Sequence, residues 1–169
     1  MFRKSCIEQH GGYQAGEFPE DYELWLRWLE AGVRFEKVPE FLLEWHDRPA
    51  RLSRTHVMYS DEAFTQIKMP YLMRWLEANN PYHPKVVVWR AGRKSRKRLS
   101  SLIQSGLKVK AYLDIKASGQ QLDAPVLDYR KVGTIDGVFV LSMVTSREAR
   151  NPIKRYLEGL NFIEGIDFI

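Results

Sequence analysis

Along the first third of the chain, apolar residues recur at helical spacing. Tyr22, Trp25, Leu26 and Leu29 fall at i, i+3, i+4 and i+7, which predicts a helix of about three turns that buries those four and leaves Arg27 and Glu30 to solvent. Its ends are marked: Pro19 presets φ for the first turn, Glu20, Asp21 and Glu23 stand where the helix dipole favours anions, and Gly32 supplies a left-handed exit. The pattern then switches period. Val33 to Val38 reads as a strand stopped at Pro39, and Phe41 to His46 as a second strand with Phe41, Leu43 and Trp45 on one face. From Ser60 a helix opens with Asp61 and Glu62 in its first turn, places Phe64, Ile67, Tyr71 and Trp75 on one side, and is kinked at Pro70. Met1 to Ile7 is too short to choose between strand and helix.

Asn79-Asn80-Pro81-Tyr82-His83-Pro84 has the composition of a linker, and beyond it the pattern is that of a parallel α/β unit. Lys85 to Trp89 is a short apolar strand, a helix with Leu99, Leu102 and Ile103 inward ends near Gly106, and Leu107 to Leu113 alternates into a second strand that terminates at Asp114. Val126 to Asp128 and Gly137 to Ser142 read as further short strands. A last helix starts near Thr145, has Asn151-Pro152 inside or at a restart, and stops at Gly159. The expected organisation is residues 1–79, a linker 80–84, and a domain 85–169.

Charge reinforces the division. Residues 1–79 carry 10 basic and 13 acidic side chains, whereas 80–169 carry 16 and 8, so the two regions face different partners. No apolar run is long enough for a membrane span, and Met1-Phe2-Arg3-Lys4 lacks the apolar core of a secretion signal, which points to the cytoplasm. The single cysteine, Cys6, has no internal disulfide partner.

Two stretches carry candidate chemistry. A carboxylate in the first turn of a packed helix, Glu20 or Asp21, can orient a hydroxyl or take its proton; the plainer alternative is an acidic turn that complements the dipole. The other stretch puts Arg90, Arg93, Lys94, Arg96, Lys97 and Arg98 at a helix N-terminus after a strand, where phosphate, nucleic acid or an anionic membrane surface could bind. Nucleic acid is not expected, since only Trp89 offers a stacking surface and it packs in the strand. The order strand, glycine turn, helix, strand, acid is that of a Rossmann-like nucleotide site, with Gly92 in the turn and Asp114 placed for a ribose. Arg90 stands where the first glycine should be, so an NAD-type cofactor is not expected.

Gly11-Gly12-Tyr13, then Glu20-Asp21-Tyr22-Glu23-Leu24-Trp25-Leu26-Arg27, then Gly32-Val33-Arg34-Phe35 and Pro39-Glu40-Phe41-Leu42-Leu43 resembles the acceptor-side half of a family-two glycosyltransferase with the GT-A fold. Phe162-Ile163-Glu164-Gly165-Ile166-Asp167-Phe168 is similar to the close of the small Rossmann-like domain appended to some bacterial members. The resemblance implies an α/β chain: a partial GT-A element of helices and short strands, followed by a small parallel-sheet domain. It implies inverting transfer of a sugar from a nucleotide-sugar donor to a glycan or lipid-linked acceptor, with Asp21 as base and Glu20 in support. Trp25, Arg48, Arg51 and Ser53 would bind substrate, and His46 could reach the metal. In that family the preceding half holds Mg or Mn and the donor diphosphate through an Asp-x-Asp signature. None occurs in this sequence, so the expected product is a C-terminal portion inactive alone, acting at the inner membrane surface or beside a separately encoded donor half. Two other classes stay open: a phosphate- or nucleic-acid-binding module built on the turn 90–98, and a non-catalytic structural remnant.

Overall fold

A computed structural model of the protein describes residues 2–44, 46, 48, 51–90, 92–115, 123–144 and 146–169. The expected positions Trp45, Asp47, Pro49, Ala50, Ala91 and Thr145 lie outside the described residues. By its contacts the chain divides into two compact units, Met1–Leu72 and Met73–Ile169.

The first unit is helical among its described residues. Helix α1 spans Lys4–His10 and leaves through Gly11 at φ 76°, and α2 spans Glu20–Glu30. α2 ends as its sequence dictates: Gly32 takes φ 81°, the Val33 N–H donates to Trp28 O at 2.9 Å, and the Gly32 N–H to Leu29 O at 3.0 Å. Helix α3 is one turn, Leu52–Thr55, followed by a 3-10 turn Val57–Tyr59. Helix α4, Asp61–Asn79, which begins in the first unit and ends in the second, opens where Ser60 Oγ accepts from the Ala63 N–H at 3.2 Å, and it runs unbroken through Pro70. Its most buried positions are Met69, Met73 and Leu76, with Phe64, Ile67, Tyr71 and Trp75 only half-buried.

Two expectations for this unit fail. The buried face of α2 is Leu24 and Trp28 with Glu23, while Trp25 and Leu29 are 45% and 54% exposed. The expected strands 33–38 and 41–46 are not strands in their described part, and Phe35, Val38, Phe41, Leu42 and Leu43 stand exposed. Alternation gives a strand its two faces, but a strand exists only where a neighbour accepts its hydrogen bonds, and no described segment of this unit supplies a ladder.

The second unit is an α/β fold around a parallel sheet. Strands β1 (Lys85–Trp89), β2 (Lys108–Asp114), β3 (Val126–Asp128) and β4 (Val140–Ser142) lie in the order β3-β2-β1-β4, all parallel. Helix α5, Arg93–Gln104, joins β1 to β2, and α6, Arg147–Gly159, follows β4. One face of the sheet presents Val87, Trp89, Ala111, Leu113 and Val140 to Leu157 of α6, Val132 and Phe168. Val86, Val88 and Tyr112 take the alternate positions, and Leu99 and Leu102 of α5 are buried. Each such fully buried aliphatic side chain contributes about 1.5–3 kcal/mol. This run of apolar β residues is why β1 reads as continuous rather than alternating.

Residues 80–84, expected as a linker, form a hydrogen-bonded turn. Asn80 is buried: its Nδ2 donates to Lys85 O at 3.0 Å and its Oδ1 accepts from the Tyr82 N–H at 2.8 Å, so the prolines punctuate an ordered entry into β1. Among the described residues no helix is long and apolar enough to cross a membrane.

Candidate functional site

Helix α2 is held by a charged clamp. The Arg27 side chain is 20% exposed and that of Glu23 5%. Arg27 Nε donates to Glu23 Oε1 at 3.0 Å and its Nη2 to Glu23 Oε2 at 3.2 Å, a fork matched to a carboxylate. The same guanidinium donates through Nη1 to His10 O and through Nη2 to Gly12 O at 2.7 Å, while Trp28 Nε1 donates to Gly11 O at 3.1 Å. Tyr71 of α4 donates to Glu23 Oε1 at 3.1 Å. Arg27, expected in solvent, is therefore the post to which the Gly11-Gly12 turn is tied. Gly11 suits the turn twice over: its φ is positive, and a Cβ there would come within 3.3 Å of Arg27 Nη1.

Above the clamp, the first turn of α2 presents Glu20 and Asp21, both half-buried. Tyr59, which ends the 3-10 turn, donates its hydroxyl to the Glu20 carboxylate at 2.9 Å (Oε2), with Oε1 at 3.2 Å. The hydrogen bond to Glu20 pushes the Tyr59 phenol above its ordinary range, and burial, the Glu20 charge and the Asp21 charge add to it. Both carboxylates thus act on one phenol, which stays a proton donor at neutral pH. Asp21 Oδ1 accepts from the Tyr22 N–H at 2.7 Å, and Tyr22 packs edge-on against Phe64 at 5.1 Å. Tyr59 was missed from sequence because it lies 39 residues from Glu20 and belongs to no periodic segment.

The other expected site residues are placed as follows. Trp25 projects from α2 with about half its surface exposed, and Arg48 and His46 are exposed in the segment after it. Arg51 is half-buried at the start of α3, where its carbonyl accepts from Thr55 Oγ1 at 3.1 Å, and Ser53 is exposed on α3. Of the expected set, Glu20 binds the Tyr59 hydroxyl, while the Asp21 carboxylate accepts from the Tyr22 N–H and acts on the phenol through its charge alone. Among the described residues no three His, Cys, Asp or Glu side chains come together as a metal site.

In the second unit, Arg90 follows β1 and Gly92 precedes α5. Arg90 takes φ 93°, a conformation that favours glycine, and its N–H donates to Leu113 O at 2.7 Å, which sets the turn beside the end of β2 and Asp114. The Arg90 side chain folds back over Gly92, its Nε 3.5 Å from where a Cβ on Gly92 would stand. Lys97, Arg98 and Asp114 all have interaction partners, and Ser95 is buried with its hydroxyl 3.5 Å from Met143 O. Arg96 lies close enough to Tyr112 for its charge to oppose the rise of that phenol, which burial first and the hydrogen bond to Asp123 (3.0 Å) second push up to about 12.

Comparison of the chain with protein-family models, with curated proteins and with solved structures finds no match to any of them.

Proposed function

We propose that the first region is the acceptor-side part of an inverting glycosyltransferase of the family-two type, and that residues 85–169 form its accessory domain. The observation that supports this most is the Glu20-Asp21 pair in the first turn of α2, with Glu20 held by the Tyr59 hydroxyl, on a helix pinned by the Glu23–Arg27 clamp. A general base needs a fixed position more than it needs bulk, and the clamp supplies that.

In the proposed reaction Asp21 accepts the proton of the acceptor hydroxyl as that oxygen bonds to the anomeric carbon. The bond from the anomeric carbon to the donor diphosphate breaks, its electron pair leaves with the nucleoside diphosphate, and attack from the opposite face inverts the configuration. Glu20, held by the Tyr59 hydroxyl, acts as a positioning residue beside the base. Trp25 offers an exposed aromatic face to the acceptor, and Arg48, Arg51 and Ser53 offer donors to its oxygens or to the diphosphate. The nucleotide sugar is held by a donor-binding half, continuous with this chain or encoded apart from it. The setting proposed is the cytoplasm, at the inner membrane surface where lipid-linked acceptors are met.

The test is sugar transfer by these residues together with a donor-binding half, comparing the native sequence with Asp21→Asn. Turnover should fall by about two to four orders of magnitude while donor binding persists, because only proton removal is lost. Unchanged turnover removes Asp21 from the mechanism. Tyr59→Phe should cost less, on the order of tenfold, since Glu20 keeps its charge but loses its orienting donor.

A further inference from the structure

The second unit carries an uninterrupted block of positive charge. Between Glu77 and Asp114 the sequence has nine lysines and arginines and no acidic residue, and six of the nine fall in residues 90–98, from the end of β1 into α5. The whole unit, Met73–Ile169, has 17 basic and 9 acidic side chains, so the remainder is close to neutral and does not cancel the block. Helix α5 is amphipathic. It buries Ser95, Leu99 and Leu102, and it exposes Arg93, Lys97, Ser100 and Gln104, which follow one another at helical spacing along its outer face. Arg93 and Lys97 are like charges at i, i+4, a placement that disfavours a helix unless an opposite charge lies nearby, and α5 has no acid of its own to offset it. Arg90, also exposed, adds a third cation at the same end. Lys97 and Arg98 have interaction partners as well, and the net charge of the block is what reaches outward.

The shape of this charge selects its partner. The outer face of a helix is convex, so it suits an extended anionic surface better than a small anion, which is held in a concave site. Single-stranded nucleic acid needs aromatic side chains on which bases stack; α5 has none, and Trp89 before it is buried against Tyr129 and Tyr156, ring centres 5.6 and 5.9 Å away. An anionic lipid surface needs neither a cavity nor a stacking platform, and it attracts clusters of about four to eight Lys and Arg on amphipathic helices. We propose that α5 docks the chain on an anionic phospholipid surface, with Arg90, Arg93 and Lys97 toward the headgroup phosphates. The docking rests on the membrane setting proposed above and gives it a location on the protein: the accessory domain holds the enzyme at the surface where a lipid-linked acceptor is met.

The test is sedimentation of the full chain with vesicles of phosphatidylcholine containing about one third phosphatidylglycerol, against vesicles of phosphatidylcholine alone. At about 50 mM NaCl the chain should pellet with the anionic vesicles and stay in solution with the neutral ones, and at about 500 mM NaCl the anionic binding should fall tenfold or more as screening shortens to roughly 4 Å. Arg93→Gln and Lys97→Gln should each weaken binding about fivefold and the pair about twenty-fivefold. Arg93→Lys with Lys97→Arg, which keeps the charge, should stay within about twofold, and so should Lys131→Gln with Arg155→Gln, which removes the same charge from exposed residues outside the block. No pelleting with the anionic vesicles, equal pelleting with the neutral ones, or an equal loss in the Lys131 and Arg155 pair would overturn the proposal. A short RNA that binds more tightly than the vesicles through Arg93 and Lys97 would overturn it in favour of a nucleic-acid surface. Release of the chain by inorganic phosphate, where NaCl of the same ionic strength does not release it, would overturn it in favour of a small-anion site. Sugar transfer is not measured in this assay, so loss of docking and loss of the transferase reading are told apart.

Discussion

Replacing Arg27 by methionine keeps the length and apolar stem of the side chain and deletes its charge, so it isolates the clamp. In the native protein the guanidinium satisfies a carboxylate whose side chain is 5% exposed and ties down two backbone carbonyls, those of His10 and Gly12. After the change, among the described residues, the Glu23 carboxylate keeps the Tyr71 hydroxyl at 3.1 Å as its side-chain donor. Breaking a buried pair from one side costs about 3–5 kcal/mol, because the remaining charge is stranded. The carbonyls of the turn are partly open to water and rehydrate, so their loss adds little, and about 3–4 kcal/mol is expected. With a urea slope of about 1.5 kcal/mol/M the midpoint of the first unit should fall by roughly 2 M, followed by the fluorescence of Trp28, which donates to the same turn. Combining Arg27→Met with Glu23→Gln should recover on the order of 2 kcal/mol, since neither group is then left charged and alone. A loss under about 0.5 kcal/mol in the single variant, or strict additivity in the double one, would refute the clamp.

Two further outcomes are expected. Arg90→Gly should stabilise the second unit by about 1 kcal/mol, because glycine adopts φ 93° without the penalty an L side chain meets; a loss of stability on thermal unfolding would mean that the guanidinium over Gly92 is worth more than the strain. Tyr112 should titrate near pH 12 by absorbance of the phenolate, against about 10 in the unfolded chain, so stability is fully present below pH 10 and falls as pH rises from 10 through 12. Tyr112→Phe should flatten the part of that fall due to this phenol.

Much of the fold was legible because its signals are local. Pro19, the acids after it and Gly32 bound α2, Ser60 opens α4, and the apolar run of β1 with the basic helix and alternating strand behind it is a βαβ unit on sight. Periodicity was misleading where the decision was not local. In α2 the inward face was displaced toward Glu23, Leu24 and Trp28 because the partners of Arg27 are backbone carbonyls, and a sequence does not advertise those. The strand pattern of 33–38 is real as a pattern, yet a strand needs a second strand, and the described residues of the first unit offer none. At the candidate site Glu20 and Asp21 could be picked out by their place in the helix. Tyr59 could not, since it reaches Glu20 only through the path of the chain between them.

The bond pattern along β4 bears on how the second unit behaves at high concentration. A parallel sheet ends in two rows of unpaired amides and carbonyls, and such a row is a template for the next molecule. On one side the row is short, because β3 has three residues. On the other, Asp167 and Ile169 take up the hydrogen-bonding groups of Val140 and Ser142, and Phe168 is buried as the rivet. Residues 167–169 are therefore a guard against self-association as much as a piece of the core, and whatever loosens Phe168 turns a finished border into a sticky one.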